Sequence, residues 1–207
     1  DVVAEMPMAL LRNRDLVTPG APITDWVVEA LGGEGPKPPA DKFLSFIEQA
    51  LDPLIRERYE VSAEKAVLFG DSYGGLFGLY ALFRQSPAFD SYILGSPGAV
   101  LENDPVFDVE SERYAQGGAL AGDVYMCIGE YEQPDSGTHY ATLGKNNHKL
   151  ANILQQRDYP DLNWSMEVLP GETHAGVPGP AFARGLRRLF GADSEFTLSS
   201  VPQIPGG

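Results

Sequence analysis

The stretch Ala66-Val67-Leu68-Phe69-Gly70-Asp71-Ser72-Tyr73-Gly74-Gly75 limits the possible fold of this chain more than any other. Four apolar residues in a row, without alternation, fit a strand buried on both faces. Beyond the glycines, Leu76, Leu79, Tyr80 and Phe83 recur at the three- and four-residue steps of a helix. A chain that passes from buried strand to helix within a few residues must turn sharply, which lifts the residue at the apex, Ser72, above the end of the sheet. Gly70 and Gly74 read as flanking positions where a side chain would collide with the neighbouring strand and helix. Gly-x-Ser-x-Gly has the form of a nucleophile elbow. In a chain with 23 glycines the pattern alone is weak, and the strand before it and the helix after it give it weight.

Similar signals recur along the chain. Val2 to Leu11 reads as a strand with an irregular middle, followed by Arg12-Asn13-Arg14-Asp15. A Pro/Gly-rich loop runs from Thr18 to Pro39, with a short apolar insert at Trp26-Val27-Val28. From Asp41, Phe43, Phe46, Ile47, Ala50, Leu51, Leu54 and Ile55 mark one face of a helix, which Pro53 is expected to kink or divide. Tyr92–Gly95, Val124–Ile128 and the alternating Trp164, Met166 and Val168 read as further strands. Lys149–Gln156 and the segment carrying Phe182, Leu186, Leu189 and Phe190 read as helices. Strands alternating with helices predict a mostly parallel sheet flanked by helices. The polar, Pro/Gly-rich residues after Gly191 read as a peripheral tail, so the domain boundary falls between a catalytic domain at 1–191 and a tail at 192–207.

A formal charge of −14 over 207 residues argues against nucleic acid, whose phosphates recruit Lys and Arg, and against docking on anionic membranes. No apolar run approaches the roughly 20 residues that cross a bilayer. The single cysteine, Cys127, excludes an internal disulfide and a cysteine-built zinc site, and its apolar surroundings mark it as a core residue. Three scattered histidines show no metal-ligand spacing, so neither a metal nor a cofactor is expected.

A serine hydroxyl needs a base to take its proton. His139 lies in a polar stretch and His148 reads as a solvated residue near a helix start. His174 falls in a loop after the last strand, at the sheet end that also carries the elbow, and is the expected base. The chain order serine, acid, histidine then puts the acid between them, after a strand. Glu132 is preferred and Glu130 is the alternative, both following Val124–Ile128, with Asp135 third. The Tyr73 backbone N–H, next after the nucleophile, is the expected oxyanion-hole donor, and a second donor is not evident.

Leu68 to Phe77, Arg12 to Leu16 and the segment from Gly171 to Leu189 together resemble the putative-esterase family, which includes enterochelin and salmochelin esterases, feruloyl esterases and S-formylglutathione hydrolases. The siderophore-esterase branch is the most similar, and the likeness covers roughly residues 8 to 190. It implies an α/β-hydrolase fold, Ser72 as nucleophile, His174 as base, a small-molecule ester as substrate, and Arg12 and Arg14 as residues facing it. Family members begin with several more strands and an Asp-Gly loop that supplies the second oxyanion donor. Against that pattern the N-terminal strands here read as missing or reduced. Three activities stay open at this point: an ester hydrolase working through an acyl-enzyme, an acyltransferase on the same scaffold, and a catalytically silent binding protein.

Overall fold

Among the residues that the structure describes, four parallel strands form one sheet in simple chain order: β1 (Val67–Asp71), β2 (Ser91–Gly95), β3 (Gly122–Gly129) and β4 (Leu162–Leu169). A computed structural model of the chain describes residues 8–22, 39–61, 66–99 and 102–191. The Trp26-Val27-Val28 insert, the first residues of the expected N-terminal strand and the tail at 192–207 lie outside the described residues.

Each strand covers a strand segment read from the sequence: β1 starts one residue later than the run Ala66–Phe69 and ends two residues beyond it, and the other three extend their segments at one or both ends. Their side chains alternate between two apolar layers, as the two-residue period of a strand requires. Leu68, Tyr92, Leu94, Val124 and Met126 point into the larger layer, and Ile93, Tyr125 and Cys127 into the smaller. Crossovers between parallel neighbours keep one hand, so sequential strand order stacks the connecting helices on one face. Accordingly α4 (Tyr73–Phe83), α5 (Pro105–Ala115) and α6 (Ala141–Arg157) contribute Leu76, Phe107 and Leu150 to the larger layer, and α1 (Met8–Leu16) packs on α4. The last helix, α7 (Pro178–Phe190), returns over the other face with Ala181. Full burial of Ile93 or Leu94 stabilises the fold by about 1.5–3 kcal/mol each.

The amphipathic segment from Asp41 is divided at the place its proline marks. The short helix α2 (Ala40–Phe46) widens into a π-helical turn at Ile47–Leu51 and resumes as α3 (Asp52–Arg58). Pro53 has no N–H to give to the Gln49 carbonyl, and its ring crowds that oxygen, so the backbone opens there.

The N-terminal reading is corrected for the residues described. Met8–Leu16 is a helix, not the end of a strand, and Arg12-Asn13-Arg14-Asp15 continues it. Met, Ala, Leu and Arg are strong helix formers, and the segment lacks the alternation a half-buried strand would show. No helix among the described residues is long and apolar enough to cross a membrane.

Because the strands run in register, Asp71 lies beside Gly95, Gly95 beside Cys127, and Gly129 beside Leu169. All four therefore end along one edge of the sheet, which is where such sheets carry their sites.

Candidate active site

Ser72 follows β1 directly and precedes α4 with φ 57° and ψ −120°, a conformation that costs a non-glycine residue on the order of 1–3 kcal/mol. Backbone bonds hold it there. The Ser72 N–H donates to the Gly95 carbonyl at 2.9 Å, and the Ser72 carbonyl accepts from Gly98 and Leu76, each at 2.9 Å. Asn146 and Asn147 of α6 donate to the carbonyls of Ala99 and Pro97 at 2.7 and 2.9 Å, securing the loop that carries Gly98. A Cβ on Gly70 would overlap the carbonyl of Gly74, so that glycine is required. Gly74 differs from expectation: a Cβ there would meet nothing within 4 Å. The second position closed to a side chain is Gly75, whose Cβ would lie 2.9 Å from the Gly95 carbonyl oxygen.

His174 Nε2 lies 3.0 Å from Ser72 Oγ, and His174 Nδ1 lies 2.6 Å from Glu132 Oε1. Glu132 Oε2 accepts from Ser96 Oγ and from the Gly129 N–H, both at 2.6 Å. The Glu132 side chain is fully buried. Burial alone would push its carboxyl up. The bonds from His174, Ser96 and the Gly129 N–H outweigh that and hold it below the ordinary carboxylate range. An ionised carboxylate only accepts, so the proton of neutral His174 sits on Nδ1 and the Nε2 lone pair faces the serine. An imidazole in that state accepts a proton from the hydroxyl as the oxygen attacks a carbonyl.

Glu132 reaches this position because β3 ends in a single 3-10 turn, Glu130–Glu132. The turn exposes Glu130 and Tyr131 and brings Glu132 back beneath the strand end. It is tied to the histidine loop twice: Gly171 N–H donates to Glu130 Oε2 at 2.7 Å, and Tyr131 N–H to the Glu172 carbonyl at 3.1 Å. Gly171 has φ +73°, a turn conformation that favours glycine. Glu130 thus anchors the loop that bears His174.

The other expected residues fall as follows. Tyr73 begins α4, so its N–H has no intrahelical partner and sits next to Ser72. Exposed Arg12 donates from Nη2 to the carbonyl oxygen of Asp71 at 3.4 Å, one residue from the serine. The Arg14 guanidinium is held by both carboxylate oxygens of Asp15, each at 2.7 Å. His148 is half-buried in the middle of α6, 2.8 Å from Gln133 Oε1, and does not lie near a helix start. His139 is exposed, yet it packs on Tyr140, whose ring stacks on His174.

Sequence reasoning missed Ser96, Tyr140 and the pair Asn146-Asn147. Ser96 was visible as the residue after a buried strand, at the edge where the elbow lies. Asp71 was also missed. Its Oδ1 is buried among the described residues without a hydrogen-bond partner, and burial, then the Glu132 charge, push its carboxyl up to about 6 against the pull of His174 and Arg12.

A sequence model of the family described as "Putative esterase" matches residues 25–160, the larger part of the chain. The chain belongs to this family. It is 37% identical over 203 residues to a siderophore enterobactin esterase of Emericella nidulans, an alignment covering 86% of this chain and 65% of that protein. Two solved structures are also similar. The siderophore hydrolase EstA of Aspergillus nidulans matches with a TM-score of 0.68 and 27% identity, covering 87% of this chain and 66% of that one. An IroE-like serine hydrolase of Shewanella oneidensis matches with a TM-score of 0.71 and 25% identity, covering 87% and 57%. The fold is that of the α/β hydrolases. The chain spans just under two thirds of the length of the first of these relatives.

Proposed function

We propose that this chain carries the catalytic machinery of a serine carboxylic-ester hydrolase that works through an acyl-enzyme. The observation that carries the reading is the unbroken line of hydrogen bonds from Ser72 Oγ through both nitrogens of His174 to buried Glu132. Ser72 Oγ attacks the ester carbonyl carbon as His174 Nε2 takes its proton, and Glu132 stabilises the resulting imidazolium. The oxyanion of the tetrahedral intermediate accepts from the Tyr73 N–H. Collapse breaks the ester C–O bond, and His174 returns the proton to the departing alcohol. Water, deprotonated by His174, then attacks the acyl-serine, releasing the carboxylic acid and restoring the Ser72 hydroxyl.

Siderophore-type esters are the substrate class the relatives support, since one is named an enterobactin esterase and another a siderophore hydrolase. Arg12 supports the same class. It is a guanidinium at the mouth of the elbow in a chain of charge −14, suited to an anionic group near the scissile ester. Arg14, bound by Asp15, is less available for this.

Hydrolysis of p-nitrophenyl butyrate and of a catecholate trilactone, compared in the parent and in Ser72→Ala and His174→Ala, tests the reading. Turnover should vanish in both variants, and the trilactone should be opened to free acid. Trilactone left intact while the simple ester is cleaved would remove the siderophore assignment. An acyl group passed to an added alcohol instead of water would make the chain a transferase.

A further inference from the structure

Edge bonds alone leave an imidazole loosely oriented, because hydrogen bonds to a carboxylate tolerate a broad range of tilt. His174 makes two edge bonds, donating from Nδ1 to the Glu132 carboxylate and accepting at Nε2 from the Ser72 hydroxyl. A third contact meets the ring on its face. The Tyr140 ring stacks on His174 with centroids 4.1 Å apart and planes 21° from parallel, and His139 packs on Tyr140 at 3.9 Å.

Tyr140 is carried on backbone tied to the turn that bears the acid. Its N–H donates to Thr138 Oγ1 at 3.3 Å, and that hydroxyl donates to the Tyr131 carbonyl at 2.8 Å. Its carbonyl accepts from the Gly144 N–H at 3.1 Å. One turn into α6, a Cβ on Gly144 would overlap the Glu132 carbonyl oxygen, so the helix lies directly on the turn. Glu132 and Tyr140 therefore form one packed unit that holds His174 by an edge and by a face.

Resting on the serine–histidine–acid reading, we propose that Tyr140 is a positioning residue. It fixes the plane of the His174 imidazole and stabilises the imidazolium formed as Ser72 loses its proton. The face of a phenol ring is negative and attracts a cation more strongly than a neutral ring. The contact therefore tightens as charge develops on His174, and it acts on turnover more than on substrate binding. Other groups near the imidazole are Glu132 on the 3-10 turn, Asp71 at the end of β1 with Arg12 of α1 behind it, and His139 beside Tyr140.

The test uses p-nitrophenyl butyrate at one pH on the activity plateau, with Tyr140→Phe, Tyr140→Leu and a series of increasingly fluorinated phenylalanines at position 140. Tyr140→Phe keeps the ring and should stay within about twofold of the parent. Tyr140→Leu should lower kcat about tenfold with KM changed less than about twofold, matching the energy of a cation over an aromatic face. Within the fluorinated series, which preserves shape and so survives any folding defect of the leucine variant, kcat should fall stepwise as the face loses negative charge. The ring protons of His174 should show an upfield NMR shift in the parent and in Tyr140→Phe that is lost in Tyr140→Leu. A folded Tyr140→Leu protein with parental kcat, a loss carried by KM, or a flat fluorinated series overturns the proposal. Hydrolysis that survives Ser72→Ala would instead overturn the reading beneath it. Hydrolysis abolished by Ser72→Ala but untouched by Tyr140→Leu leaves that reading standing and removes Tyr140 alone.

Discussion

Glu132 and Asp71 are two carboxyl groups near one imidazole, and their surroundings drive them apart. Three hydrogen bonds keep buried Glu132 ionised, whereas half-buried Asp71 has one buried carboxyl oxygen, Oδ1, without a hydrogen-bond partner. Glu132→Gln replaces an all-acceptor group with one that has a single acceptor oxygen and an NH2 facing donors. It should lower kcat by about two to four orders of magnitude. Glu130→Gln, which only weakens the anchor on Gly171, should stay within a few-fold of the parent. Steady-state kinetics of the two variants rank them, and the reverse order would move the acid to Glu130. The choice was open in the sequence because the two residues are separated only by Tyr131. The 3-10 turn decides which points inward, and a turn that short has no periodicity to read.

The same pair gives opposite pH signatures. Glu132 has a folded-state value below its ordinary 4.5, so the stability it contributes is present at neutral pH and lost as pH falls through the folded value. For Asp71 the folded value rises from 3.8 to about 6, so its stabilising state is the protonated one, full below pH 3.8 and lost as pH rises through 6. Asp71→Asn removes the cost of the buried charge. Its Tm should exceed that of the parent at pH 8, by an amount corresponding to on the order of 2 kcal/mol. The gain should fade as pH approaches 4. An Asp71→Asn protein less stable than the parent at pH 8 would show that the carboxylate has a stabilising partner.

At the scale of elements, the strand–elbow–helix unit was the most legible, since its apolar run, glycines and helical face each agree with the same backbone path. The glycine argument was right for Gly70 and misplaced for Gly74, because the helix approaches β2 through Gly75. Gly70→Ala should therefore yield little folded protein, while Gly74→Ala should keep its Tm within a few degrees of the parent. Thermal denaturation and circular dichroism distinguish them, and equal damage from both would contradict the packing described. The helix Pro105–Ala115 was not read at all, although Asp104 and Pro105 are start signals: the Asp104 side chain caps the Val106 N–H at 3.0 Å. Helix α1 was mistaken for a strand because its apolar residues cluster without a repeating face. Helix α6 begins eight residues before the read segment, its first turns carrying Gly144 against the Glu130–Glu132 turn and Asn146 and Asn147 against the Pro97–Ala99 loop instead of a continuous apolar face.

Across the whole molecule, the alternation of strands and helices was enough to predict a parallel sheet, and parallel strands in register bring their C-terminal ends to one edge. Chain order then indicated Ser72 and His174, 102 positions apart, as partners. What the sequence could not supply was lateral contact across that edge: Ser96 on Glu132, Tyr140 on His174, and Arg12 against the Asp71 carbonyl. These depend on how neighbouring loops fold back, which no local pattern encodes. The net charge of −14 and the exposed guanidinium of Arg12 beside the elbow are features on which the proposed substrate choice rests, while the proposed chemistry rests on the serine. The central claim is that Ser72 is a nucleophile activated by His174. Mass spectrometry of the intact and digested protein after reaction with a fluorophosphonate tests it most directly. One phosphonyl adduct per chain, on the peptide containing Ser72, absent in Ser72→Ala and formed far more slowly in His174→Ala, is the predicted result. An unmodified folded parent, or an adduct that persists in Ser72→Ala, would contradict it.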